Sequence, residues 1–90
     1  MRLKNVMESL VMEQLDNMLK EMKSVCACQR CRDDMVAYAL NNLKPLYATT
    51  ERGETISKAS ALEPQVHTDL ITAITKAIEL VGKNPRHGEN

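Results

Sequence analysis

Residues 25–31 read VCACQRC, and residues 32–47 continue as RDDMVAYALNNLKPLY. Three thiols, on Cys26, Cys28 and Cys31, therefore lie within six residues at the spacings C-x-C and C-x2-C. Zinc takes four ligands tetrahedrally, at about 2.3 Å for sulfur, and a turn that enters a helix points a C-x2-C pair at one centre. Helix-start amides and the neighbouring Arg30 and Arg32 are expected to lower the pKa of such thiols. The segment predicts a structural zinc site at the joint between two helices.

Three cysteines leave one zinc position open. We take His67 as the first candidate, because a tertiary contact can return the first turn of the last helix to the cysteines. The other candidates are a water molecule, a group from a second subunit, and the side chains of His87, Asp33 and Asp34. Two alternatives to a metal remain, a redox pair of Cys28 and Cys31 or inert buried cysteines, although the βαβ pattern of a thioredoxin-like site is absent.

The apolar spacing on either side of the cysteines predicts three principal helices. The first has apolar residues at Leu3, Met7, Val11, Leu15, Met18, Met22 and Val25. This spacing predicts about five to six turns, capped by Asn5 with Glu8 reaching back. The second resumes at Cys31 and ends before Pro45, and the third runs from Pro64 to Gly82.

Between the second and third helices, LYATT at 46–50 and TISK at 55–58 flank the polar turn ERGE at 51–54. Their β-branched and aromatic residues predict a short β-hairpin-like segment. The predicted fold is thus mainly α, with three principal helices and this hairpin. It forms a single domain, 1–90, in which residues 83–90 are a flexible tail.

The length and net charge of the chain limit the classes of function that it can have. A chain of 90 residues buries too little surface for high stability alone, so we expect support from the metal and from a homodimer. The six methionines make the first helix a plausible dimer or partner face. Twelve basic and twelve acidic residues cancel, which argues against nucleic acid or a membrane surface as partner. Without a signal peptide or a membrane span, a cytoplasmic location is expected.

Catalytic motifs are absent from the sequence, which has no zincin helix and no phosphate loop. Three thiolates also donate so much charge that a bound zinc ion becomes a poor Lewis acid. We therefore expect a protein that is not an enzyme.

The stretch from the cysteines to residue 50 resembles the late-competence ComFB family of small bacterial proteins. The matching elements are Cys26, Cys28, Cys31, Asp34, Met35, Ala37, Ala39, Leu40, Asn41, Pro45 and Tyr47. The similarity continues through Gly53-Glu54 and Ala61-Leu62 to the Asn84–His87 ending, and so covers nearly the whole chain. This resemblance implies a mainly helical dimer with a structural zinc ion bound by cysteines, and no known enzymatic activity.

The resemblance also suggests two functions. The first is a zinc-stabilised dimeric regulatory or adaptor protein that contacts an unidentified protein partner. The second comes from cyanobacterial relatives that resemble receptors for a cyclic dinucleotide such as cyclic di-GMP. Residues with suitable chemistry for phosphate contacts or base stacking are Arg30, Arg32, Lys44, Tyr47, Arg52 and Lys58.

Overall fold

The computed structural model describes residues 2–85. Its elements are β1 (Lys4–Asn5), α1 (Val6–Lys20), α2 (Gln29–Asn41), β2 (Tyr47–Ala48), α3 (Glu51–Ser60) and α4 (Pro64–Lys83). The mainly helical class is confirmed, although this part of the chain holds four helices where three were predicted. None of these helices is both long and apolar enough to cross a membrane.

The core lies where α2 and α4 pack against each other, with α1 across them. One face of α4 is buried at three- and four-residue intervals, through Leu70, Ala73, Ile74, Ala77 and Ile78. The small side chains at 73 and 77 allow the backbone of α2 to approach closely. α2 contributes Met35, which is 0% exposed. The two helices run antiparallel, since Asn42 near the end of α2 and Val66 near the start of α4 share a cleft.

α1 begins where predicted and ends earlier. Asn5 is its N-cap, and the side-chain oxygen accepts a hydrogen bond from the Met7 amide at 3.1 Å. No hydrogen bond from Glu8 back to the cap accompanies it among the described residues. The helix ends at Lys20, whereas the apolar pattern predicted continuation to Val25. Residues 21–28 instead form the turn that carries the first two cysteines.

The predicted hairpin is wrong in its second half. Tyr47–Ala48 is extended, but its antiparallel partner is Lys4–Asn5 near the N-terminus, and residues 55–58 lie within α3. The reason is that α3 begins within residues 51–54, which were predicted to form the turn. Thr50 Oγ1 accepts a hydrogen bond from the Gly53 amide at 2.9 Å, and Glu51 and Glu54 in the first turn complement the helix dipole.

α3 packs on β2 and α1 and forms an ion pair with β1. None of its residues is buried. Glu54 pairs with Lys4 at 2.8 Å and with Lys58 at 3.4 Å, and hydrogen bonds from these lysines, with Lys4 the stronger influence, lower the pKa of Glu54. Gly53 allows a close approach to β2, because an added Cβ would lie 3.6 Å from the Ala48 Cβ and 3.1 Å from Thr50 Oγ1.

Asn5 joins two parts of the fold, since its side-chain oxygen also accepts from the Leu46 amide at 2.8 Å. We expect Asn5→Ala to reduce the free energy of unfolding by about 1–3 kcal/mol, because it removes a helix cap and leaves two amides without this acceptor. Urea unfolding measures this loss. Asn17→Ala, on the exposed side of α1, is the matched control, and equal stability of the two variants would contradict the joining role of Asn5.

Part of the predicted tail, 83–90, falls outside the described residues. Lys83 is the last residue of α4, and Asn84 and Pro85 follow it. Residues 86–90, and with them the candidate ligand His87, lie outside that part of the chain.

Candidate metal centre

The turn between α1 and α2 brings the three cysteines together. Cys28 is the N-cap of α2, and Cys31 lies in its first turn. The three sulfur atoms all lie within 4.8 Å of one another. The three cysteines differ in burial: Cys28 is exposed, Cys26 is half-buried and Cys31 is 1% exposed.

This cluster suits a tetrahedral metal. Sulfur atoms at about 2.3 Å from a zinc ion lie about 3.8 Å apart, a separation that fits the observed grouping within 4.8 Å. Soft thiolate ligands favour zinc over magnesium or calcium. Three sulfurs occupy three of the four positions, so the arrangement can hold one metal ion with one position left for a further ligand.

The structure places His67 far from the thiols. A Cβ added at Gly82 would lie 3.9 Å from Val25 Cγ1, so the cysteine turn rests on the last turn of α4. His67 lies in the first turn of the same helix, fifteen residues away, which at 1.5 Å per residue is about 22 Å. Within one chain, the fold therefore does not bring this candidate ligand to the cysteines.

The two aspartates predicted as alternative ligands each lie near a side chain of α2. Asp33 Oδ1 accepts a hydrogen bond from Gln29 Nε2 at 2.6 Å. Asp34 Oδ2 lies 3.6 Å from Arg30 Nε. Among the described residues, the group of side chains close enough to share one metal ion contains the three cysteines alone.

The pKa of the Cys31 thiol is shifted upward, whereas the sequence predicted a downward shift for these thiols. Burial raises the pKa of the Cys31 thiol to about 12, helped by hydrogen bonds with Cys26 and Cys28. The predicted lowering by Arg32 is absent because this guanidinium is directed to Asp16 on α1. Coordination to a divalent ion has the opposite effect on a thiol, since it removes the proton outright.

Arg32 links α2 to α1. Its Nε and Nη2 donate to the two carboxylate oxygens of Asp16 at 2.8 and 3.0 Å, and these hydrogen bonds lower the pKa of Asp16. The Asp16 side chain is 47% exposed, so solvent screening weakens the pair. It nevertheless holds the start of α2, and with it the cysteines, against α1.

We expect Arg32→Gln to lower the free energy of unfolding by about 0.5–1 kcal/mol at neutral pH. Because the pKa of Asp16 is lowered on folding, this contribution is present above the unfolded carboxyl pKa of about 4 and is lost as pH falls through the folded value. The difference between wild type and variant should therefore shrink in acid, as urea titrations at several pH values would show. Arg52→Gln, at an exposed position of α3, is the control, and a difference that grew below pH about 4 would contradict this assignment.

The residues predicted to bind a cyclic dinucleotide do not converge. Arg30 and Arg32 are at the start of α2, whereas Lys44 follows its other end, about 20 Å away for thirteen residues. Tyr47 is on β2, and Arg52 and Lys58 are on α3. Lys44 lines a cleft between the end of α2 and the start of α4. Sequence reasoning missed that cleft because its walls come from elements far apart in the chain.

Comparison with known proteins gives one consistent result. The family described as "Late competence development protein ComFB" matches residues 4–85. A "Competence protein ComFB" from Bacillus subtilis (strain 168) is 28% identical over 81 residues, which are 90% of this chain and 83% of that protein. The structure reported as the late competence protein ComFB from Bacillus subtilis aligns with a TM-score of 0.78 at 27% identity. The alignment covers 94% of this chain and 96% of that one.

Proposed function

This chain belongs to the late-competence ComFB family, and from that premise we propose that it is a non-enzymatic regulatory or adaptor protein fastened by one zinc ion. Cys26, Cys28 and Cys31 supply the protein ligands. The observation that carries the proposal is the grouping of their sulfur atoms within 4.8 Å at the joint between α1 and α2. The zinc ion closes this joint, where residues 21–28 form turns and irregular chain between the two helices.

A structural role for the metal follows from where the sulfur atoms lie. Cys31 belongs to the hydrophobic core, whose other members come from α1, α2 and α4. A ligand in the core ties the metal to the packing of the whole domain. Three thiolates supply enough charge to leave the zinc ion weakly acidic, which suits stability and does not suit activation of a bound water molecule.

The fourth ligand reaches the metal from the solvent side, where Cys28 is exposed. Our proposal gives this position to a water molecule, to a second subunit, or to a group beyond residue 85 such as His87. Metal analysis of His87→Ala separates the last of these from the others.

Cobalt(II) substitution tests the three-thiolate site directly. Tetrahedral cobalt with thiolate ligands gives sulfur-to-metal charge-transfer absorption and visible ligand-field bands. We expect both in wild type, with a weaker charge-transfer band in Cys28→Ser. Ser24→Ala, in the same turn, is the control and should match wild type. Octahedral cobalt spectra without charge transfer would overturn the proposed site.

The proposal includes a homodimer, supported by exposed apolar side chains immediately before β1, on β2 and on α3. Leu3, Tyr47 and Ile56 are 66%, 63% and 61% exposed. The methionines of α1, expected to form the partner face, support it less well: Met7 is 3% exposed and lies in the core, while Met12 is 37% exposed. Light scattering at micromolar concentration tests the dimer, and a monomer would contradict it.

A cyclic-dinucleotide receptor is not proposed. The six side chains with suitable chemistry are divided among the start of α2, its far end, and the β2–α3 region. Arg32 is also held by Asp16. No observation among residues 2–85 favours this second function over the first.

A further inference from the structure

A cleft separate from the cysteines opens at the other end of the α2–α4 pair. It lies between the end of α2, the start of α1 and the N-terminal half of α4, and its volume is about 570 Å³. Sites for small molecules commonly have volumes of about 300–1,000 Å³. The cleft is thus large enough for a ligand of appreciable size.

The floor of this cleft is apolar. Met7, Leu43, Leu46 and Ala73 are among its lining residues, and Met7 and Ala73 belong to the hydrophobic core. Contact with these side chains removes apolar ligand surface from water, which is the main source of affinity in such sites.

The rim of the cleft carries an excess of positive charge. Lys44 and Lys76 line it, together with Asp69. Neither lysine makes an ion pair within residues 2–85, in contrast to Lys4 and Lys58, which both reach Glu54. Asp69 is already engaged by Gln65, whose Nε2 donates to it at 2.8 Å. The cleft therefore presents two lysines that form no ion pair in the described part of the chain, and one aspartate that already accepts a hydrogen bond.

We propose that this cleft binds an amphipathic carboxylate, a molecule with an apolar acyl or aryl body and one terminal negative charge. The body lies on the floor formed by Met7 and Leu46, and the carboxylate is held between Lys44 and Lys76. Half-buried Tyr38 adds a hydroxyl group to the same wall. Asp69 disfavours a second negative charge, so a monoanion fits better than a dianion.

Octanoate is the probe for this site, and octanol and octylammonium, which have the same apolar body, are its charge controls. Isothermal titration of the full-length protein should give binding of octanoate, weaker binding of octanol and none of octylammonium. We expect the double variant Lys44→Gln/Lys76→Gln to weaken octanoate binding by about tenfold. Lys83→Gln, which removes the same charge from α4 outside the cleft, should leave binding unchanged.

Each alternative outcome overturns the proposal. Equal binding of the three probes would mean an apolar cavity without charge recognition. Absence of octanoate binding at millimolar concentration would mean no site for this class. Unchanged affinity in the double lysine variant would place the site elsewhere. Val66→Trp, which fills the cleft from its half-buried wall, should abolish binding, and circular dichroism confirms that the variants are folded.

Discussion

Cys28→Ser is expected to lower the free energy of unfolding by about 3 kcal/mol or more, a large share of the roughly 5–15 kcal/mol available to a small domain. The serine hydroxyl cannot replace a thiolate on zinc, and losing the metal opens the joint between α1 and α2. Cys28 is exposed, so the substitution removes a ligand without disturbing the core. Urea unfolding and thermal melting in zinc-containing buffer measure the loss.

The metal-free protein provides the control for this effect. After treatment with a chelator, wild type and Cys28→Ser should have the same stability, within about 0.5 kcal/mol, because no metal is bound in either protein and a serine hydroxyl at this exposed position can still form a hydrogen bond with Cys31. Cys31→Ser should remain less stable even without metal, since its sulfur lies in the core at 1% exposure. If Cys28→Ser melts like wild type in zinc, the metal does not stabilise the fold.

Ile74→Ala is expected to cost about 3–4 kcal/mol in the free energy of unfolding. Ile74 is 0% exposed on the face of α4 that packs on α2, so truncation leaves a cavity between the two helices with most contact. Such a loss takes a marginally stable domain close to unfolding. Urea unfolding with the metal site saturated gives the value without interference from zinc loss.

Ile56→Ala makes the same chemical change on the surface, where Ile56 is 61% exposed. We expect it to change monomer stability by less than about 0.5 kcal/mol. Comparable losses in the two variants would mean that the core is not centred on α4. If Ile56→Ala instead weakened association, that result would support the proposed dimer surface.

The helices of the core could be predicted from the sequence because their signals are local. Apolar spacing marked α4 from Pro64, and Asn5 marked the start of α1. The early end of α1 was missed because Met22 and Val25 keep a helical spacing while the chain has already turned toward the cysteines. Periodicity shows which residues suit a buried face and does not show where the backbone leaves the helix.

In the segment from 46 to 60, the sequence predicted extended structure at residues that form a helix. Thr55 and Ile56 favour extended structure by propensity, but the Thr50 cap and the acidic first turn decide for α3. The correct partner of β2 lies more than forty residues away, at Lys4–Asn5. A pairing at that distance has no local turn signal, whereas the residues that follow β2 have the composition of a hairpin.

The candidate metal site also has one part that local sequence predicts and another that depends on tertiary packing. The cysteine cluster is close in sequence and could be predicted, whereas its surroundings depend on tertiary packing. The prediction of His67 as a ligand depends on the return of its helix to the cysteines. The helix does return, but it is the far end, at Gly82, that meets Val25. The orientation of α4 relative to α2 decides which end arrives, and apolar spacing does not fix that orientation.

Elemental analysis of protein purified without added metal or chelator tests the zinc centre most directly. We expect close to one zinc ion per chain in wild type and a much lower content in Cys28→Ser, purified in parallel. A zinc content near zero in wild type, with Cys26 and Cys28 reacting readily with a thiol reagent, would contradict the assignment of the three cysteines as a metal centre.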